Sequence, residues 1–135
     1  MGEAEFASLT LAEIRRRYGE STSRRQFLFR RLHTVTRLLA ETGHLRHLYL
    51  FGSFTTAKPT PGDLDCLAVM AAGFTTVHLP AHLLDVFQHD LCRLYYHADV
   101  FWVTEVVGRE HIEAMLAVFS HDRHGAFQPI VEVTV

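Results

Sequence analysis

The sequence predicts an α/β (α+β) protein in which a small mixed β-sheet carries N-terminal helices packed on it. Three observations predict it. Apolar residues recur at helical spacing in two segments of the first 44 residues, and cap signals bound both segments. From residue 45 onward, short runs dense in Leu, Val, Tyr and Phe alternate with turns that carry Gly and Pro. The length of 135 residues, 48% of them hydrophobic, suffices for one core and argues against disorder. The reading is one domain over 1–135, helical over 1–44 and sheet-forming over 45–135.

The elements follow in order. Thr10 and Glu13 make a capping box, with Leu9 and Ile14 placed as a hydrophobic staple, so a short helix runs to about Tyr18 and stops at Gly19. Ser21, Thr22 or Ser23 caps the next helix, where Leu28, Leu32, Val35 and Leu39 form an apolar stripe and Gly43 closes the end. His44 to Phe51 is too apolar for a loop and too short for a helix, which makes it a buried strand. Pro59 and Pro61 limit Phe54–Lys58 to a single helical turn, and Gly62 releases the chain into a second strand, Asp63 to Met70. Residues 71–79 are a loop, and Pro80 suits the first turn of a helix to about Leu91. Tyr95 to Val103 is predicted as a third strand with His97, Asp99 and Phe101 on one face. A helix over Arg109–Ala117 follows, then two strands flanking the turn Asp122-Arg123-His124-Gly125.

Composition excludes some function classes. No stretch approaches the ~18 apolar residues of a membrane span, and the acidic start MGEAEFASL lacks a signal peptide's apolar run, so a cytoplasmic location is expected. Cys66 and Cys92 lie in apolar surroundings without a Cys-x-x-Cys pattern and read as reduced core residues. The net charge of −2 conceals an asymmetry: residues 1–47 hold nine Arg against five Glu, and 48–135 hold four basic residues against ten acidic ones. That asymmetry fits a basic arm for nucleic acid or an acidic partner, or solvated helix faces that balance the acidic half. The scatter of Arg around the helices, without interleaved exposed aromatics, favours the second. The ten His show no zinc spacing: Pro80 separates His78 from His82, and His121 and His124 sit on a turn.

The chemistry concentrates in LYLFGSFTTAKPTPGDLDCLAVM, Leu48 to Met70. Strand alternation turns Asp63 and Asp65 to one face and Leu64 and Cys66 into packing. Two carboxylates so close repel unless a proton or cation compensates, and Mg²⁺ favours one or two carboxylates together with phosphate oxygens. Asp99 interrupts an aromatic and apolar strand, which is costly unless the carboxylate is paired; Arg93 is the candidate for an ordinary salt bridge.

Gly52-Ser53 at a strand end, Asp63-x-Asp65 ten positions on, and an isolated Asp99 on a later strand resemble the nucleotidyltransferase superfamily that includes DNA polymerase beta. The stretch from Gly52 through Asp65, with Asp99-Val100-Phe101 and Asp122-Arg123-His124-Gly125, is similar to small bacterial proteins of the minimal nucleotidyltransferase kind. The resemblance implies the nucleotidyltransferase fold and catalytic, metal-binding Asp63, Asp65 and Asp99 around two Mg²⁺ ions, about 3.5–4 Å apart. It implies Gly52, Ser53 and Lys58 as nucleotide-binding residues. The implied activity is transfer of a nucleoside monophosphate from an NTP, ATP foremost, to a protein or nucleic-acid hydroxyl, with pyrophosphate leaving. Relatives of this kind serve as antitoxins that modify a HEPN toxin, which makes a HEPN-type toxin an implied partner. One departure stands out: Phe54 to Pro61 replaces the helix that usually follows Gly-Ser. A catalytically silent member that binds a nucleotide or a partner is the alternative.

Overall fold

Thr10 joins the first strand to the first helix, and the capping box predicted there is formed. Its side chain accepts from the Glu13 N–H at 3.2 Å, and the Glu13 carboxylate accepts from the Thr10 N–H at 3.0 Å. The computed structural model describes residues 6–135, and the acidic residues 1–5 lie outside the described part. Strand β1 is Ala7–Thr10, and helix α1 is Leu11–Tyr18. Helix α2, Ser23–Glu41, takes Thr22 as its cap and buries Leu28, Leu32, Val35 and Leu39. Gly43, at φ +75°, reverses the chain. Strand β2 is Leu45–Phe51, and β3 is Leu64–Met70. Helices α3, Ala81–Leu84, and α4, His89–Tyr96, precede β4, Ala98–Thr104. Helix α5, Arg109–Phe119, and strand β5, Val131–Thr134, complete the described fold.

The five strands form one mixed sheet in the order β1-β5-β2-β3-β4. β2 pairs antiparallel with both β3 and β5, while β1–β5 and β3–β4 are parallel. Alternation divides the side chains between two faces. Leu48, Leu50, Leu64, Cys66, Ala68 and Val100 pack beneath α1, α2, α3 and α4. Tyr49, Phe51, Leu67 and Val69 pack against Leu116 of α5. The architecture is thus mixed α/β, with five strands and five helices among the described residues. No helix among them is long and apolar enough to cross a membrane.

Four expectations are corrected. The helix expected from Pro80 to Leu91 is short α3, a 3₁₀ turn over Asp85–Phe87 and a break at Gln88, whose extended backbone (ψ 108°) starts α4 afresh. The third strand begins at Ala98 rather than Tyr95, because Cys92 and Tyr96 face the core at helical spacing and extend α4. His97 is therefore not a strand residue; it reverses the chain at φ 53°. The second strand begins at Leu64, with Asp63 just ahead of it. Finally, of the two strands expected to flank the turn, the second is present as β5, whereas α5 runs to Phe119 in place of the first and His121 makes only a single bridge to Phe127. The Asp122 carboxylate ties that turn locally by accepting from the His124 and Ala126 N–H groups at 2.8 and 2.9 Å.

Candidate functional site

The site is built where β2 ends and β3 begins. Register sets Phe51 opposite Asp65, and Asp65 opposite Asp99 on β4, so both carboxylates emerge on the α5 side of the sheet. Gly52 follows Phe51 at φ +80°, a conformation that L side chains rarely adopt, and a Cβ there would collide with Asp65 Oδ2. Its glycine therefore admits the Asp65 carboxylate against the main chain, a reason distinct from the nucleotide-binding role that the resemblance implies.

The chain then makes one 3₁₀ turn, Gly52–Thr55, which starts two residues ahead of the Phe54–Lys58 segment where a single turn was expected. The loop beyond is held from outside by the first turn of α2. Arg25, only 3% exposed, donates five hydrogen bonds to four carbonyls, those of Tyr18, Phe54, Thr56 and Lys58. Burial lowers its pKa below the ordinary arginine value, and the fivefold donation compensates the buried charge. Arg24 donates to the carbonyls of Pro61 and Gly62 at 3.1 and 3.2 Å, and its Nη2 lies 3.6 Å from Asp63 Oδ1. Thr22 Oγ1 donates to the Pro59 carbonyl, and Ser53 Oγ accepts from the Gly62 N–H at 3.1 Å. The 53–62 loop is therefore fixed through its main chain.

These elements enclose an open cleft of about 600 Å³. All six residues singled out from sequence line it: Gly52, Ser53, Lys58, Asp63, Asp65 and Asp99. Arg93 joins them from α4, and Asp122, Arg123, His124 and Gln128 form the wall contributed by the loop after α5. Arg93 Nε lies 3.2 Å from Asp99 Oδ1 and 3.6 Å from Asp63 Oδ2, so the salt bridge weighed from sequence is present and spans two carboxylates. His97 sits to one side, its Nδ1 3.9 Å from Asp63 and its ring edge-on to Phe27.

Electrostatics distinguishes Asp65. Burial, then the negative charges of Asp99 and Asp63, push its pKa up to about 7, against the partial relief that Arg93 provides. Asp99 is shielded too: its side chain is 14% exposed, and Oδ1 is buried without a hydrogen bond despite Arg93 and His89 beside it. Both observations fit a donor set of hard oxygens short of positive charge. Among the described residues, however, no group of three or more His, Cys, Asp or Glu side chains is arranged to hold a metal ion as it stands. The guanidinium of Arg93 lies between Asp63 and Asp99 and supplies the countercharge there.

Sequence reasoning missed Arg24, Arg25, Arg123, His124 and Gln128 as parts of this site. The Asp122-Arg123-His124-Gly125 turn was visible as a motif, though nothing local shows that it folds back beside Gly52. The two cysteines are buried and unpaired as expected. Of the histidines outside the cleft, His47 and His82 pair with Glu132 and Glu41.

No curated protein and no solved structure matches the chain. The model of a family of unknown function, DUF6932, matches residues 3–134, nearly the whole sequence that builds this sheet and cleft. The chain belongs to that family.

Proposed function

We propose that this protein has the nucleotidyltransferase fold and transfers a nucleoside monophosphate from an NTP, ATP foremost, to a hydroxyl of a protein or nucleic acid in a Mg²⁺-dependent reaction. The observation that carries the reading is the pairing of Asp65 with Asp99 across β3 and β4, next to Gly52-Ser53, in a cleft that also holds Lys58, Arg93 and Arg123. Carboxylates and cations interleaved in one cleft suit a bound metal together with phosphates, whereas either sign alone would not.

Asp63, Asp65 and Asp99 would hold the magnesium, which when bound supplies positive charge to the phosphates and acidifies the attacking hydroxyl. The remaining tasks fall to the protein. Lys58, Arg93 and Arg123 line the cleft and neutralise charge that builds on the departing pyrophosphate. Ser53 Oγ accepts from Gly62 and keeps its own proton to donate to a phosphate oxygen. The clamped loop holds Gly52, Ser53 and Lys58 in place before substrate arrives, which lowers the entropy lost on binding. On the resemblance, a HEPN-type toxin is among the candidate acceptors.

Arg93 also favours a second reading, a silent member that binds nucleotide without transfer, because it already bridges Asp63 and Asp99. Incubation with each α-labelled NTP, Mg²⁺ and candidate acceptors separates the two. Label transfer that Asp65→Asn and Asp99→Asn abolish supports the enzyme; nucleotide binding without transfer to any acceptor supports the silent binder. An absence of nucleotide binding sinks both.

A further inference from the structure

Phe101 follows Asp99 by two positions on β4, so its side chain leaves the sheet on the carboxylate side. It is 38% exposed, although it sits in mid-strand beside an aromatic cluster. Phe119, from the end of α5, stacks on Phe51 at 4.3 Å with 11° between planes, and lies 5.3 Å from Phe101 at 30°. The His89 ring is 6.0 Å from Phe101 while its Nε2 is 3.4 Å from Asp99 Oδ1. Aromatic surface and carboxylate are thus joined through one histidine.

We propose that Phe101, flanked by His89 and backed by Phe119, is the stacking surface for the nucleobase of the nucleotide whose phosphates occupy the cleft. The inference rests on the reading of the cleft given above and extends it to the base. A nucleotide carries its base one ribose away from the α-phosphorus. Two residues along a strand separate the Asp99 and Phe101 α-carbons by about 6.4–6.8 Å, a spacing of the order of a ribose's span. Phe101 offers a π-face but no hydrogen-bonding group, so it recognises that a base is present and discriminates weakly among bases. The backing by Phe51 and Phe119 keeps the ring from turning aside when it is uncovered.

The test compares ATP with inorganic tripolyphosphate, each titrated calorimetrically into the full chain with Mg²⁺. ATP should bind wild type roughly five- to a hundredfold more tightly than tripolyphosphate, the range expected for one stacked base. Phe101→Leu should remove most of that advantage and leave tripolyphosphate binding unchanged, and Phe101→Tyr, which keeps the ring, should retain it. ATP binding wild type no better than tripolyphosphate overturns the stacking surface, whether or not Phe101→Leu folds. So does a Phe101→Leu protein that binds ATP as wild type does, or one that loses both ligands equally. Wild type that binds neither ligand instead overturns the nucleotide reading of the cleft itself.

Discussion

Replacing Asp65 by Asn keeps the shape of the side chain and removes one of three crowded charges. Its effect follows from the pKa of about 7 against the ordinary 3.8. The sign is that of an acid whose folded value is raised. At a pH below about 4 the group is protonated in both states and costs nothing; between about 4 and 7 the unfolded chain ionises first and stability falls; above 7 the loss is constant. Full expression of the difference amounts to about 4 kcal/mol, at 1.36 kcal/mol for each pH unit. Asn must still find partners for its amide, and Arg93 loses a neighbour, so a net gain of about 2–4 kcal/mol is expected at pH 8 and little change at pH 4. For a chain of this size that gain raises the melting temperature by roughly 6–15 °C. Urea melts followed by circular dichroism at both pH values measure it. Wild type should gain stability from Mg²⁺ at the higher pH by mass action, and Asp65→Asn should not. An Asp65→Asn protein less stable than wild type at pH 8, or offset equally at both pH values, would refute the argument that burial and like charge strain this carboxylate.

Three further substitutions test the surroundings. Arg93→Gln should tighten Mg²⁺ binding severalfold in the absence of nucleotide, because the guanidinium and the ion compete for Asp63 and Asp99; a Mg²⁺-dependent melting series reads it, and weaker binding would contradict the competition. Arg25→Lys cannot serve four carbonyls with one ammonium and should cost about 2–4 kcal/mol in urea, with faster amide exchange in residues 54–62; an unchanged midpoint would mean the clamp is redundant. Gly52→Ala should cost about 1–2 kcal/mol for its left-handed backbone alone and more from the contact with Asp65, and should abolish the Mg²⁺ response; a variant as stable and as responsive as wild type would argue against the close approach.

What was legible in the sequence was local. The capping box at Thr10, the stripe Leu28–Leu39, the β2 and β3 runs and the Gly52-Ser53 to Asp65 spacing each declare themselves within a few residues. Asp99 was legible because a carboxylate in an aromatic strand needs a physical reason. What escaped depends on partners far along the chain. β1 is four residues long with only Leu9 buried, and it exists because β5 aligns Ala7 with Val131. Tyr95 and Tyr96 look like strand residues by propensity, yet helical contacts of Cys92 and Tyr96 with the core prevail. Arg25 reads as one more surface arginine until the loop 33 residues later presents its carbonyls.

The clamp on that loop holds main-chain oxygens and ignores most of the side chains between them. Ala57, Lys58, Pro59 and Thr60 are all exposed, and the contacts that Arg24, Arg25 and Thr22 make there are with backbone carbonyls, which every residue type supplies. Anchoring is thereby uncoupled from chemistry. Ala57 and Thr60 are free to drift, or to be rewritten by an engineer as reporter positions in the same loop as the cleft residue Lys58, while the path of the chain stays where the two arginines set it.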